Sequence, residues 1–383
     1  MSELNVGVIG CGNISTTYFE LASLFKGYQF KACADLNHAN AEASAATYGL
    51  TAMSVDDLLA SQDIDVIVNL TIPDSHNEIS TRILEAGKHV YSEKPLALNT
   101  DEARALAALA QQKGLSVGCA PDTFFGGTHQ LARKLVDDGA IGTITSGTCH
   151  VMSHGMEDWH PNPDFFFQPG AGPVLDLGPY YIAALVNLIG PVKRVGALTS
   201  MAEKERMILN GDRHGEMVPV DTPTTIHALL EFHTGATVTL SASWDVWSHE
   251  HNNIELYGTE GTLYVPDPNF FAGDLRIARK NSDTESVAPI DHPFDVINEA
   301  KDDEKRANYR GAGLADMAMA IHDKRDFRCS IDRAAHALDV MMSILESGET
   351  GQFVTINTAC TRPDALGADA AMSLLRDKPV SVV

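Results

Sequence analysis

The feature that most constrains this chain is a glycine turn set between a short apolar run and a helix-like stretch. Val6-Gly7-Val8-Ile9 reads as a buried strand, and Gly10-Cys11-Gly12-Asn13-Ile14-Ser15 follows it directly. Gly10 permits a tight strand-to-helix turn, and Gly12 lets the backbone approach a pyrophosphate. The helix N-terminus beyond it offers unpaired amides and a favourable dipole for that anion. Ser15 stands where a third glycine is usual, one small residue for another. Phe30 to Asp35 reads as the next strand, ending in an acid. Gly10, Gly12, Asn13, Ile14 and Asp35 are therefore candidate dinucleotide contacts. A carboxylate at Asp35 accepts from ribose hydroxyls and repels a 2′-phosphate, and Leu36-Asn37 rather than arginine follows it, which favours NAD over NADP.

The alternation continues. Helix (Asn40 to Tyr48), strand (Ile64 to Leu70), helix (Asn77 to Ala86), strand (His89 to Tyr91), helix (Asp101 to Lys113) and strand (Ser116 to Cys119) predict a doubly wound parallel sheet. The fold class is α/β: an N-terminal Rossmann domain, residues 1–121, then a C-terminal α+β domain, 122–383, with a large mixed or antiparallel sheet. In the second part a helix (His129 to Asp137) precedes strands at 143–152, 192–199, 224–232, 236–244, 254–257 and 261–265. Glu231 to Ala236 reads as a hairpin turn. Helices are expected at 172–189 and 311–324, with 333–347 closing the chain, and Asn281 to Arg306 reads as a polar surface loop.

Composition excludes several classes. Asp and Glu number 51 against 28 Lys and Arg, a formal charge of −23. That surface repels phosphate backbones and anionic membranes, so neither nucleic acid nor membrane is an expected partner. No stretch reaches the apolar length of a membrane span. Met1 to Asn5 lacks the basic lead of a signal peptide, and a cytoplasmic location follows. The six cysteines (Cys11, Cys33, Cys119, Cys149, Cys329 and Cys360) are scattered and read as buried thiols. His249-Glu250-His251 has no third ligand at helical spacing, so no metal is expected. Phe124-Phe125 and Met341-Met342 read as core.

Two further segments carry charged groups into the same crevice. Gly87 to Pro95 runs a buried strand into Glu93-Lys94-Pro95, at the sheet edge where catalysis is expected in such folds. Asp176 and Tyr180, an i, i+4 pair after Gly170-Ala171-Gly172, share one helix face and can address one ligand. A phenol with pKa of about 10 is a poor base near neutrality, and a neighbouring ammonium stabilises its phenolate. Lys94 and Tyr180 thus read as an acid–base couple, with Asp176 orienting a hydroxyl. Ser153 to Pro161, leading to Phe165-Phe166-Phe167, reads as a loop over the crevice. Trp159 suits a sugar's apolar face, and His154, Glu157 and His160 can bond hydroxyls. Asp122 could also reach the pocket.

Gly10-x-Gly12, Gly87-Lys88-His89-Val90 with Glu93-Lys94-Pro95, and Gly170-x-Gly172-x-x-x-Asp176-x-Gly178 together resemble the Gfo/Idh/MocA oxidoreductases. The resemblance covers about the first 190 residues by motif and the rest by domain plan. It implies that Lys94 lies between nicotinamide and substrate and that Glu93 holds the nicotinamide-side ribose. It also implies that Thr71, Pro73 and His76 line the cofactor and that Asp176 faces the substrate. Many members carry His four positions after that acid. Tyr180 stands there instead, which resembles members acting on aldoses and speaks against an inositol dehydrogenase. Trp159 resembles a tryptophan that the family usually follows with Arg, where this chain has His160.

The implied activity is NAD-dependent oxidation of a CH–OH group, an aldose at its anomeric hydroxyl giving a lactone, or a polyol hydroxyl. A homo-oligomer, dimer or tetramer, is implied through the second domain's sheet. Two rivals share the fold: a redox-neutral NAD-dependent glycosidase and a non-catalytic sugar or dinucleotide sensor.

Overall fold

A computed structural model describes residues 3–301 and 304–382. The first part is a six-stranded sheet in the order β3-β2-β1-β4-β5-β6, every pairing parallel. Its strands are β1 (Leu4–Ile9), β2 (Tyr28–Ala34), β3 (Thr51–Met53), β4 (Val66–Asn69), β5 (His89–Ser92) and β6 (Val117–Cys119). Helices α1 (Asn13–Leu21), α2 (His38–Tyr48), α3 (Val55–Ala60), α4 (Pro73–Glu85) and α5 (Thr100–Lys113) connect them. All four residues of β4 are buried, as a sheet covered on both faces requires. Local chemistry sets the helix ends. Asn99 accepts from the Glu102 amide at the start of α5, and Gly114 closes it in the left-handed conformation. Pro73 opens α4, which begins four residues before the sequence expectation, because proline suits the first helical position.

The chain then runs through α6 (Gly127–Asp137), β7 (Ile144–Met152), α7 (Pro173–Leu188), β8 (Val192–Ser200) and the small hairpin β9 (Glu205–Met207) and β10 (Met217–Pro219). Next come β11 (Thr225–Phe232), β12 (Thr237–Ser243), β13 (Ile254–Gly258), β14 (Gly261–Val265), β15 (Arg276–Arg279) and β16 (Thr284–Ser286). Then follow β17 (Glu299–Lys301), β18 (Glu304–Arg306), α8 (Ala312–Asp323), α9 (Ile331–Thr350), β19 (Val354–Thr355) and α10 (Ala368–Ser373). The larger sheet has nine strands in the order β16-β15-β14-β13-β7-β12-β11-β8-β19. It is mixed: β7 and β12 are parallel, their neighbours antiparallel. Burial alternates along β11, so one face packs beneath helices and the other is open.

Three expectations change. The polar tract after Asn281 is not all surface: His292 and Phe294 are about 1% and 0% exposed, because His292 bonds the Leu366 carbonyl and Phe294 stacks on Tyr309. Residues 302–303 of that tract lie outside the described residues, as do Met1 and Ser2. Nor does the helix after 333 close the chain. The tail returns to the first sheet, where the Arg376 amide bonds the Leu24 carbonyl and Leu374, Leu375, α8 and β1 share one apolar cluster. Finally, β3 and α3 complete the parallel sheet where the sequence reading named no element. Phe124, Phe125 and Met341 are core, with Met342 half-buried. Among the described residues no helix is long and apolar enough to cross a membrane.

Candidate active site

Strands β1, β4 and β5 are adjacent and parallel, so Gly10, Thr71 and Lys94 emerge along one edge of the sheet. Beside β1 the strand order reverses, which opens a ligand crevice at the carboxyl ends. Gly10 has φ +102°, and a Cβ there would lie 2.5 Å from the Leu70 carbonyl oxygen, so no other residue fits. Gly12 precedes α1 with open space around it and no side chain capping the first amides. The Ser15 amide bonds the Gly12 carbonyl at 3.2 Å, which leaves the Asn13 and Ile14 amides for an anion. Asn13 is exposed and Ile14 half-buried beside them. The Asp35 carboxylate accepts from the Cys11 amide at 2.7 Å and the Asn37 amide at 2.9 Å, which ties the turn to the end of β2. An open amide cradle backed by a carboxylate fits a dinucleotide.

Across the crevice, the exposed Ile72 and Pro73 and the half-buried Thr71 continue the edge. Thr71 donates its hydroxyl and amide to the buried Asn69 side chain. His76 is different from expectation. Its ring is about 1% exposed, held between the Pro95 carbonyl at 2.6 Å and the Thr71 carbonyl at 2.9 Å. It braces the two loops instead of lining the crevice, because the first turn of α4 points it inward. Glu93 is also buried and accepts from the Tyr18 hydroxyl at 2.9 Å and the Lys94 amide at 3.0 Å. Burial, then the Glu93 charge, pushes the Tyr18 phenol well up, so it stays a donor.

Helix α7 brings the second half. Gly172, with φ +95°, precedes Pro173, and Pro179 removes one ladder hydrogen bond within the helix. The Lys94 ammonium donates to the Asp176 carbonyl at 2.7 Å and to its Oδ1 at 2.9 Å, and lies 5.4 Å from the Tyr180 ring centre. Burial draws Lys94 down, yet the Asp176 charge and then Tyr180 outweigh it and hold the ammonium above the usual lysine range. The couple read from sequence is therefore arranged differently in detail: Lys94 bonds Asp176, and the phenol oxygen receives Arg310 Nη1 at 3.2 Å.

Asp122 does not serve the pocket as expected. It is about 2% exposed, and its Oδ2 accepts the Gly311 and Gly313 amides at 2.9 and 3.0 Å, capping α8. Burial raises its pKa to about 6 against the pull of those amides and Arg310. Glu157 likewise turns inward: it pairs with the buried Arg206 at 2.7 Å, and Arg206 also holds Asp245 and the His154 carbonyl. The loop's aromatics stay out. Trp159 is 61% exposed, packs edge-on to His160, and leans on Phe166. His154 stacks on the exposed Trp247 at 3.4 Å. His160 accepts from the Asn162 amide at 3.1 Å. His251 stacks on His150 at 4.1 Å, and among the described residues no three His, Cys, Asp or Glu side chains converge on a metal position.

Comparison with known proteins decides the family. An oxidoreductase-family profile, described as an NAD-binding Rossmann fold, matches residues 4–120, and the GFO/IDH/MocA C-terminal domain matches residues 129–264. The chain belongs to the Gfo/Idh/MocA oxidoreductases.

It carries the family's NAD-binding Rossmann domain and is an NAD(P)-dependent oxidoreductase of the kind acting on CH–OH donors. It is 28% identical to levoglucosan dehydrogenase of Pseudarthrobacter phenanthrenivorans, over 69% of this chain and 73% of that one. It is 26% identical to a dTDP-3,4-didehydro-2,6-dideoxy-alpha-D-glucose 3-reductase of Streptomyces violaceoruber, over 88% of this chain and 97% of that one. Among solved structures, levoglucosan dehydrogenase in complex with NADH and L-sorbose superposes with a TM-score of 0.77 at 23% identity, covering 94% of this chain and 100% of that one. That likeness is one of fold.

Within this Gfo/Idh/MocA site, sequence reasoning missed Arg310, with Asn269 behind it, and Trp247. Arg310 sits in Asn308-Tyr309-Arg310-Gly311, a stretch with no motif, and only the fold carries it to Tyr180. Trp247 was open to notice as a large aromatic beside a strand end.

Proposed function

We propose that the protein is an NAD-dependent sugar dehydrogenase that oxidises an aldose at its anomeric hydroxyl to a lactone, or a polyol hydroxyl to a ketone. The observation that carries this reading is the cluster at the sheet edge: Lys94 bonded to Asp176 and standing over Tyr180, beside a turn shaped for a dinucleotide. Bound NAD supplies the hydride acceptor. Tyr180 takes the hydroxyl proton, Asp176 orients the hydroxyl, and Lys94 keeps positive charge beside both. Glu93 holds the ribose side from beneath. Trp159, His154 and His160 form the outer sugar wall, which the exposure of Trp159 supports. The names of the levoglucosan and dideoxyglucose relatives favour a carbohydrate.

NAD is preferred to NADP because the Asp35 carboxylate faces the ribose position, with Leu36 and Asn37 after it. The division into 1–121 and 122–383 is kept as the functional one. The open face of the nine-stranded sheet exposes Leu198 (74%) and Leu229 (51%), which supports a homo-oligomer through that face. Free thiols in an acidic protein are in keeping with a cytoplasmic enzyme.

The test is NADH formation with a panel of aldoses, polyols and levoglucosan, NAD against NADP, beside Lys94→Ala. Turnover with one sugar, lost in the variant, supports the reading. Silence across the panel with NAD still bound moves the assignment to the redox-neutral glycosidase or the sensor.

A further inference from the structure

Arg310 lies in a segment fastened at every residue. The Asn308 amide donates to Asn298 Oδ1 and its side chain to Glu299, both at 2.7 Å, and the Tyr309 hydroxyl donates to the Val296 carbonyl at 2.9 Å. Gly311 turns with φ +102°, a conformation other residues adopt only at a cost. The Gly311 and Gly313 amides are held by Asp122, three residues beyond the end of β6. So anchored, the guanidinium reaches the phenol oxygen of Tyr180 at 3.2 Å and Asn269 Oδ1 at 3.3 Å, its carbon 5.6 Å from the Tyr180 ring centre. Lys94 stands 5.4 Å from the same ring. Tyr180 itself is about 5% exposed, so water screens neither cation from it. The other charges near the group are Asp176 on its own helix, bonded to Lys94, and Glu93 and Asp122, which act on Arg310.

We propose that Arg310 is a positioning residue for proton transfer at Tyr180, aiming the phenol oxygen and, together with Lys94, meeting the negative charge it carries while deprotonated. The inference rests on the dehydrogenase reading above. In the oxidative direction the substrate O–H bond breaks and its proton bonds to the phenol oxygen. The C–H bond breaks with its electron pair going to the cofactor, and the C–O bond gains a second pair. The Arg310 bond to oxygen passes from a cation–phenolate pair to a cation–neutral phenol bond as this happens, and in reduction it strengthens as the phenol gives its proton up. Asp122 sets Arg310 in place without touching substrate, which gives this buried carboxylate a purpose in the site.

The experiment compares wild type, Arg310→Met and Arg310→Lys. With the sugar that wild type oxidises, Arg310→Met should lower kcat about 10²-fold with little change in KM. Its pH–rate curve should lose activity at higher pH on the acid side. Added methylguanidinium should restore part of kcat, and Arg310→Lys should fall between. A second measurement needs neither substrate nor cofactor: the ultraviolet tyrosinate signal of each protein, minus that of the same protein carrying Tyr180→Phe. The Tyr180 signal should grow in at higher pH in Arg310→Met than in wild type. An unchanged pH–rate curve without rescue, or identical tyrosinate signals, would overturn the proposal. If wild type turns over no sugar, the dehydrogenase reading fails and the tyrosinate comparison still decides Arg310.

Discussion

Lys94 and Asp176 join the two halves of the molecule: one ammonium, from the loop after β5, donates to both the backbone carbonyl and the carboxylate of one residue on α7. The pair is about one-fifth exposed on each side, so its charges are partly shielded from water. Removing the cation leaves Asp176 facing the crevice without its partner. Lys94→Met should lower kcat by about 10²–10⁴-fold. NAD binding, followed by fluorescence titration, should persist. Loss of NAD binding together with activity would show that Lys94 serves the cofactor and not the chemistry.

Asp35 offers a separate test of cofactor choice. Its carboxylate holds the Cys11 and Asn37 amides, and on the proposed NAD reading its charge would oppose an adenosine 2′-phosphate. Asp35→Ser with Leu36→Arg should raise KM for NAD by about 10-fold or more, the equivalent of one charged hydrogen bond. The same double variant should gain activity with NADP. Steady-state kinetics with both cofactors measures it, and an unchanged NAD to NADP ratio refutes the argument from charge.

Arg206 is the buried hub beneath the aromatic loop, with Glu157 and Asp245 both on it and the side chains of Arg206 and Glu157 about 5% and 4% exposed. Arg206→Met strands the buried Glu157 carboxylate, while the half-buried Asp245 keeps the Thr224 and Thr225 hydroxyls, and should cost about 3–5 kcal/mol in urea unfolding. Because the loop carrying Trp159 hangs from this hub, sugar KM should rise in the folded fraction while NAD affinity stays. A stability loss under about 1 kcal/mol would mean water reaches the triad.

Acid should destabilise the fold through buried histidines. His129 bonds the Phe270 carbonyl, and burial pushes its pKa down to about 4 from an ordinary 6.5. The unfolded chain therefore binds that proton more readily than the folded one. Stability from neutral His129 is complete above about pH 6.5 and is lost as pH falls toward about 4. Burial lowers His89, His292 and His336 in the same sense. Asp122, raised to about 6, acts the other way, because the folded state binds its proton more readily. His129→Gln should lose less Tm than wild type between about pH 7 and pH 4.5, by the equivalent of about 2 kcal/mol. Parallel Tm curves would rule out His129 as a source of the acid response.

Much of the fold was legible because its signals are local. A glycine turn needs its conformation wherever it occurs, and alternating strand and helix patterns report burial within a few residues. The hairpin at Glu231–Ala236 and the course of α7 could be read the same way. What stayed hidden were partners. His76, Asp122 and Glu157 carried the right chemistry for a site, yet both His76 ring nitrogens, Asp122 Oδ2 and Glu157 Oε1 are taken by partners within the fold. Short β3 and α3 offered too few residues for a period to show.

The sequence by itself determined the parallel first sheet and the glycine turn tied to Asp35, and it set Lys94 just after β5 with Asp176 and Tyr180 one helical turn apart on α7. Tertiary structure alone decided which polar groups face that crevice and which brace it. Arg310 meets Tyr180 across 130 positions of chain, and Asp122 meets Gly311 across 189. Such contacts leave no trace in local periodicity, because a hydrogen bond depends on where packing delivers both partners, and packing is a property of the whole fold.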